Sequence, residues 1–134
     1  MKNIRPSAKS IGNFFELYII KKLKKEGYSV LEHSFEASPE ELDIIIKKGK
    51  TIIFAEVKSR GPSTIEEPEK SVDKVKMYNI YHGAKKYLKT LESVDIDTSA
   101  FNYRFDVIAV RYDEGYNIIN YKHFENYYTA EDLF

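Results

Sequence analysis

Asp43, Glu56 and Lys58 form a D-x(12)-E-x-K pattern within two otherwise apolar segments, LDIIIK and TIIFAEVK. A carboxylate in such surroundings is costly unless it is paired, hydrogen-bonded or bound to a metal. Two carboxylates beside a lysine suit a hard divalent cation, Mg²⁺ or Mn²⁺, which takes oxygen ligands and keeps several waters. Such a site can attack a phosphorus with a metal-activated water, the lysine orienting that water or balancing charge. The backbone carbonyl of Val57 is a further candidate ligand. A plain ion pair at a strand end, Glu56 or Asp43 with Lys58, explains the bare spacing more economically. Glu16 shifts that balance, because a third carboxylate aimed at the same sheet favours a metal cluster, although a half-exposed glutamate pairing with a lysine stays open.

These side chains must be positioned by a hairpin and a helix. Side chains alternate along a strand, so Glu56 and Lys58 share a face. A two-residue turn at Lys48-Gly49 sets Asp43 opposite Phe54 and diagonal to Glu56, about 7–8 Å away. Residues 8 to 26 carry Ile11, Phe14, Phe15, Tyr18, Ile19 and Leu23 at helical spacing, with Gly27 as the stop. Glu16 lies at the edge of that stripe, and Gly12 would let the helix approach the sheet closely. YSVLEHSF reads as a strand before the hairpin, and GPSTIEEPE as a loop after it. A second helix is expected from about Glu69 to Leu91, with Met77, Ile80, Tyr81, Ala84, Leu88 and Leu91 as its apolar stripe. YRFDVIAVRY and YNIINY then form a hairpin about Asp113-Glu114-Gly115, and the tail from His123 carries at most a short helical turn. The order α-β-β-β-α-β-β predicts one α/β domain over residues 1–134, a mixed sheet flanked by helices, with TIIFAEV as its covered central strand.

The 134 residues leave room for one core. No apolar run approaches the ~18 residues that span a bilayer. The first residues lack a secretory apolar core, and there is no cysteine. A cytoplasmic protein with no membrane partner is therefore expected. Net charge is zero, yet residues 1–25 carry seven Lys/Arg against Glu16 alone. That basic end, Lys9 included, could track phosphates, although a solvated helix face explains it as well.

Several motifs in order resemble a known family. They are GNFFE at 12–16, GYSVL at 27–31, ELDII at 41–45, FAEVKSR at 54–60 and YRFDVIAV at 103–110, with Ser71-Val72, Lys76 and Ala84 at matching spacing. Together they resemble the small bacterial YraN family from about residue 11 to 124. That family looks like a minimal member of the PD-(D/E)xK nucleases, whose fold is restriction-endonuclease-like and related to Holliday-junction resolvases. The resemblance implies Asp43, Glu56 and Lys58 as the signature, Glu16 as an added acidic group, a divalent metal, and phosphodiester hydrolysis. It implies Lys76 as a secondary basic contact, with Arg60 and Lys9 as further nucleic-acid candidates. Arg104 and Asp106 match an R-F-D motif read as structural. Glu40 stands where the family carries glycine, adding negative charge beside the site. A metal-dependent nuclease on DNA, branched or flap-like substrates included, is the leading expectation. Dimerisation through the tyrosine-rich second half accompanies it. The alternative is a non-catalytic nucleic-acid-binding or adaptor module on the same fold.

Other signals fail. Gly49-Lys50-Thr51 ends like a P-loop, but Ile44 replaces the earlier glycine and a strand follows. His33, His82 and His123 lack metal-ligand spacing and read as surface or core residues. Tyr78, Tyr81 and Tyr87 read as helix packing before base stacking.

Overall fold

A computed structural model describes residues 7–133; Lys2 and Arg5 of the basic segment and the two ends of the 1–134 span lie outside them. Helix α1 (Ala8–Lys25) starts where the Ser7 hydroxyl accepts the Ser10 N–H at 3.1 Å, satisfying a donor that the first turn leaves free. It stops at Gly27, whose φ of +94° an L side chain rarely adopts. Strands β1 (Ser29–Ala37), β2 (Glu40–Lys48) and β3 (Thr51–Arg60) form an antiparallel meander. Helix α2 (Lys74–Glu92) carries the chain across to β4 (Asn102–Tyr112), parallel to β3, and β5 (Ile118–Tyr128) closes the sheet antiparallel to β4. The spatial order is β1-β2-β3-β4-β5, so β3 is the central strand of a five-stranded mixed sheet, as its apolar run predicts.

Each face is covered by one helix. Phe15, Ile19 and Leu23 of α1 pack on Ile44, Ile46, Ile53, Ala55, Ile108 and Val110. Ile80, Ala84 and Tyr87 of α2 pack on Leu42, Ile45, Ile52, Phe54 and Phe105. Close approach occurs at Gly83 rather than at Gly12. A Cβ on Gly83 would lie 3.0 Å from Leu42 Cδ2 and 3.3 Å from Ala37 Cβ, whereas nothing stands within 4 Å of one on Gly12.

Three expected boundaries move, each for a local reason. The β2–β3 turn is Gly49-Lys50, with Lys48 paired to Thr51. Gly49, at φ +59°, takes the first central turn position, which a glycine fills without strain. The register therefore slides by two residues and brings Asp43 level with Glu56 instead of Phe54. Helix α2 starts at Lys74, because the Asp73 carboxylate caps it by accepting the Lys76 N–H at 2.9 Å. Residues Pro68–Ser71, of which those from about Glu69 were expected to begin that helix, form a separate 3₁₀ turn. Strand β5 runs on to Tyr128, through the first half of the expected tail, and Ala130–Leu133 forms a helical turn.

Candidate functional site

The β2–β3 ladder is regular as far as the Ile44–Ala55 pair. Past it, Asp43 Oδ2 accepts the Val57 N–H at 2.8 Å, a side chain standing in for a ladder partner. Its neighbour Glu56, on the α2 side of the sheet with Phe54, is only 4% exposed. Glu56 Oε1 lies 3.4 Å from Lys58 Nζ and 3.6 Å from Lys76 Nζ. Lys76, in the first turn of α2, also binds Glu40 Oε1 at the start of β2. Three acidic groups and two ammoniums thus meet where β2, β3 and the N-terminal turn of α2 converge.

The electrostatics of this cluster follow from burial. Glu56 has its pKa pushed up to about 8, first by desolvation and then by the charge of Asp43, against the pull of Lys76 and Lys58. Asp43 is also raised, because burial outweighs the Val57 N–H, the Glu56 hydrogen bond and both lysines. Burial thus favours retention of a proton by the pair, with Glu56 the more strongly raised by the charge of its neighbour. Burial alone would lower Lys76, but its bond to Glu40 and the charge of Glu56 hold it above the ordinary lysine value.

Glu16 stands apart from this group. Its Oε2 lies 2.9 Å from Nε2 of His33, an exposed residue of β1. Burial raises its pKa, the hydrogen bond to His33 opposes this, and Asp43 and Glu41 add to the rise, so it senses the site's charge. Among the described residues no three His, Cys, Asp or Glu side chains gather closely enough to hold one ion. The expected convergence of three carboxylates is thus a convergence of two, with the third held by a histidine. Arg60 lies at the end of β3, its Nη1 donating to Ser59 O at 2.9 Å. Lys9 is exposed in the first turn of α1 and belongs to the other helix layer.

The R-F-D motif is structural, as its residues predict. Asp106 is fully buried and receives four hydrogen bonds. Arg104 Nε and Nη2 contribute at 2.9 Å each, His123 Nε2 at 2.7 Å and the Asn126 N–H at 2.9 Å. Burial raises its pKa, but these donors outweigh it and leave the carboxylate below its ordinary range.

Three partners escaped the sequence reading. His33 and His123 each pair with a carboxylate, and Glu40 is the anchor of Lys76 as well as an added charge. No spacing rule could link Glu40 to Lys76, because β2 and α2 meet only in the folded chain. Asp73 caps α2 by accepting the N–H of Lys76, which therefore lies in the helix's first turn.

The model of the Uncharacterised protein family UPF0102 matches residues 15–110, which include Glu16, Asp43, Glu56, Lys58 and Lys76. A UPF0102 protein of Clostridium perfringens (strain ATCC 13124) is 43% identical over 106 residues, covering 78% of this chain and 81% of the relative. One of Clostridium tetani is 36% identical over 113 residues, covering 82% and 88%. One of Syntrophomonas wolfei is 33% identical over 99 residues, covering 74% and 82%. The chain belongs to the UPF0102 family. Among the described residues no helix is long and apolar enough to cross a membrane.

Proposed function

We propose that this protein is a metal-dependent nuclease of the PD-(D/E)xK type that hydrolyses phosphodiester bonds in DNA, with branched or flap structures as its substrates. The observation that carries this reading is the pairing of half-buried Asp43 with buried Glu56. They adjoin just past the last β2–β3 ladder pair, Ile44–Ala55, with Lys58 and Lys76 against Glu56. The donor set fits Mg²⁺ or Mn²⁺, ions that accept one or two carboxylates and fill their remaining positions with water and substrate phosphate. It does not fit an ion that demands a full protein cage. When bound, the cation supplies Lewis acidity at the phosphoryl oxygens.

The chain's own residues do the rest. Asp43 and Glu56 hold the cation, for which Glu56 must give up its proton. The Val57 N–H fixes the orientation of Asp43. Lys58, 3.4 Å from Glu56, would face the phosphate and offset developing negative charge. Lys76 stays tethered by Glu40 as a positioning cation. Glu16 acts from the second layer through its charge on Asp43.

The test is cleavage of labelled linear, flap and four-way DNA in Mg²⁺ or Mn²⁺, with and without chelator. Metal-dependent product from branched substrates is expected, and its loss in Asp43→Ala and Lys58→Ala. Equal cleavage by wild type and both variants would refute the assignment.

One feature favours a non-catalytic nucleic-acid-binding module. Lys58 and Lys76 already pair with Glu56, and the Val57 N–H with Asp43, without an ion. That reading predicts DNA binding unaffected by metal and no product under any of these conditions.

A further inference from the structure

We propose that the outer stripe of α1 and the β4–β5 turn form one self-complementary face on which a second copy of this chain docks, its α1 antiparallel to the first. The inference is independent of the nuclease reading and goes beyond it by naming a partner. Helix α1 carries two apolar stripes. Phe15, Ile19 and Leu23 face the core, whereas Phe14, Leu17 and Tyr18 stand outside it, at 57%, 54% and 42% exposure. Their spacing of i, i+3 and i+4 puts those three on one side of the helix. Tyr116 of the β4–β5 turn, 38% exposed, extends the stripe. One hollow of about 260 Å³ is lined by Ser10, Ile11, Phe14 and Tyr116, and another of about 330 Å³ has Phe14, Tyr18, Tyr116 and Ile118 in its walls.

The turn is built to hold Tyr116 there. Asp113 Oδ1 accepts the N–H groups of Gly115 and Asn117 at 2.9 Å each, and the Asp113 carbonyl accepts that of Tyr116 at 3.0 Å. Tyr116 takes a φ of +62°, in the left-handed region, a costly conformation for a tyrosine without such bracing. At about half of the ~150–250 Å² that a large side chain can bury, the four exposed side chains offer roughly 400 Å² of apolar surface. That is about half of the ~800 Å² per partner of a standard interface, so a charged rim must complete a small, reversible one.

The rim decides which partner fits. The last two turns of α1 carry exposed Lys21, Lys24 and Lys25. Beside its first turns lie Asp113 and Glu114, which line a hollow with Ile11 and Tyr116. None of these five charged groups forms an ion pair among the described residues. A two-fold axis between Leu17 and Tyr18 sets Ile11 against Lys24 of the other copy, each about 10 Å from the axis at ~1.5 Å per residue. The acidic turn of each copy then lies against the basic end of the other, and the apolar side chains meet at the centre. A patch that matches itself in this way closes as an isologous dimer. The chain's net charge of zero adds no long-range repulsion between copies. A nucleic-acid strand or an anionic membrane would meet Asp113 and Glu114 as like charges, whereas a second copy supplies their countercharge. The contact lies on the α1 layer, so the carboxyl cluster on the α2 side of the sheet stays open in both copies.

The test is sedimentation equilibrium of the full chain from micromolar to millimolar concentration at low salt. Self-association to twice the chain mass is expected, and Leu17→Glu, checked by melting to be folded, should leave only monomer. Glu114→Lys and Lys24→Glu should each weaken association about tenfold, since the two-fold axis places every rim contact twice. The two substitutions combined should restore wild-type association, which a local folding defect would not do. Wild type that stays monomeric throughout overturns the inference, as does a dimer that survives Leu17→Glu. Failure of the combined variant to recover overturns the antiparallel docking. Wild-type monomer that binds phosphatidylserine vesicles or an oligonucleotide through Leu17 gives the face to that partner and overturns the inference as well.

Discussion

Replacing Glu56 by glutamine should stabilise the protein at alkaline pH, and the size of the effect follows from the site. The folded chain holds a proton on Glu56 up to about pH 8, whereas the unfolded chain releases it near the ordinary value of 4.5. A group with a raised folded pKa contributes stability that is complete below 4.5 and is lost as pH rises through 8. At 1.36 kcal/mol for each tenfold, the displacement is worth roughly 4–5 kcal/mol. Asp43 is raised by the same burial and reinforces the trend. For a chain of this length 1 kcal/mol moves the melting temperature by about 3–5 °C. Between pH 5 and pH 8.5 about 4 kcal/mol of this is lost, so metal-free wild type should melt about 12–20 °C lower at pH 8.5 than at pH 5. Glutamine keeps the shape, can still donate to Asp43, and cannot ionise. Scanning calorimetry in chelator across that range should show a much flatter curve for Glu56→Gln, which should melt above wild type at pH 8.5. Groups that do not interact with Glu56 cancel in the difference. Parallel curves would refute the retention of a proton by the Asp43–Glu56 pair.

Other perturbations have equally definite outcomes. Removing the countercharge with Lys76→Gln should push the alkaline loss of stability to higher pH, because Lys76 is the strongest of the lysine influences on Glu56; the same calorimetric series reads it. Asp106→Asn breaks a buried, four-donor carboxylate and should cost about 3–5 kcal/mol in urea unfolding. The two glycines should part company. Gly83→Val should cost about 1–3 kcal/mol by driving into Leu42 and Ala37, whereas Gly12→Ala should gain up to about 1 kcal/mol of helix propensity. Equal unfolding midpoints for the two variants would contradict the α2–sheet packing.

The sheet, both helices and the central position of β3 were legible because each rests on local patterns: alternation, helical spacing and turn residues. The face shared by Glu56 and Lys58 was legible for the same reason, strand alternation being independent of tertiary context. The hairpin register was legible only in parity. Gly49 can occupy either central turn position, and the choice moves Asp43 by two residues without turning it to the other face. Glu16 shows the limit from the other side. Its helix phase brought it to the sheet, but its partner His33 comes from an edge strand whose pairing no spacing predicts. The whole-body charge was silent on the site, since its ammoniums and carboxylates nearly cancel within a few ångströms.

On the function proposed above, the carboxyl pair is a metal site held closed by a proton and two lysines. Its most direct test is calorimetric titration of Mn²⁺ into wild type and into the Asp43→Ala, Glu56→Ala double variant at pH 7, in two buffers of different ionisation heat. The account predicts binding that disappears in the variant, with proton release by wild type, because Glu56 must ionise before it can hold the ion. Heat that is equal in both proteins, or wild-type binding with no proton released, would contradict it.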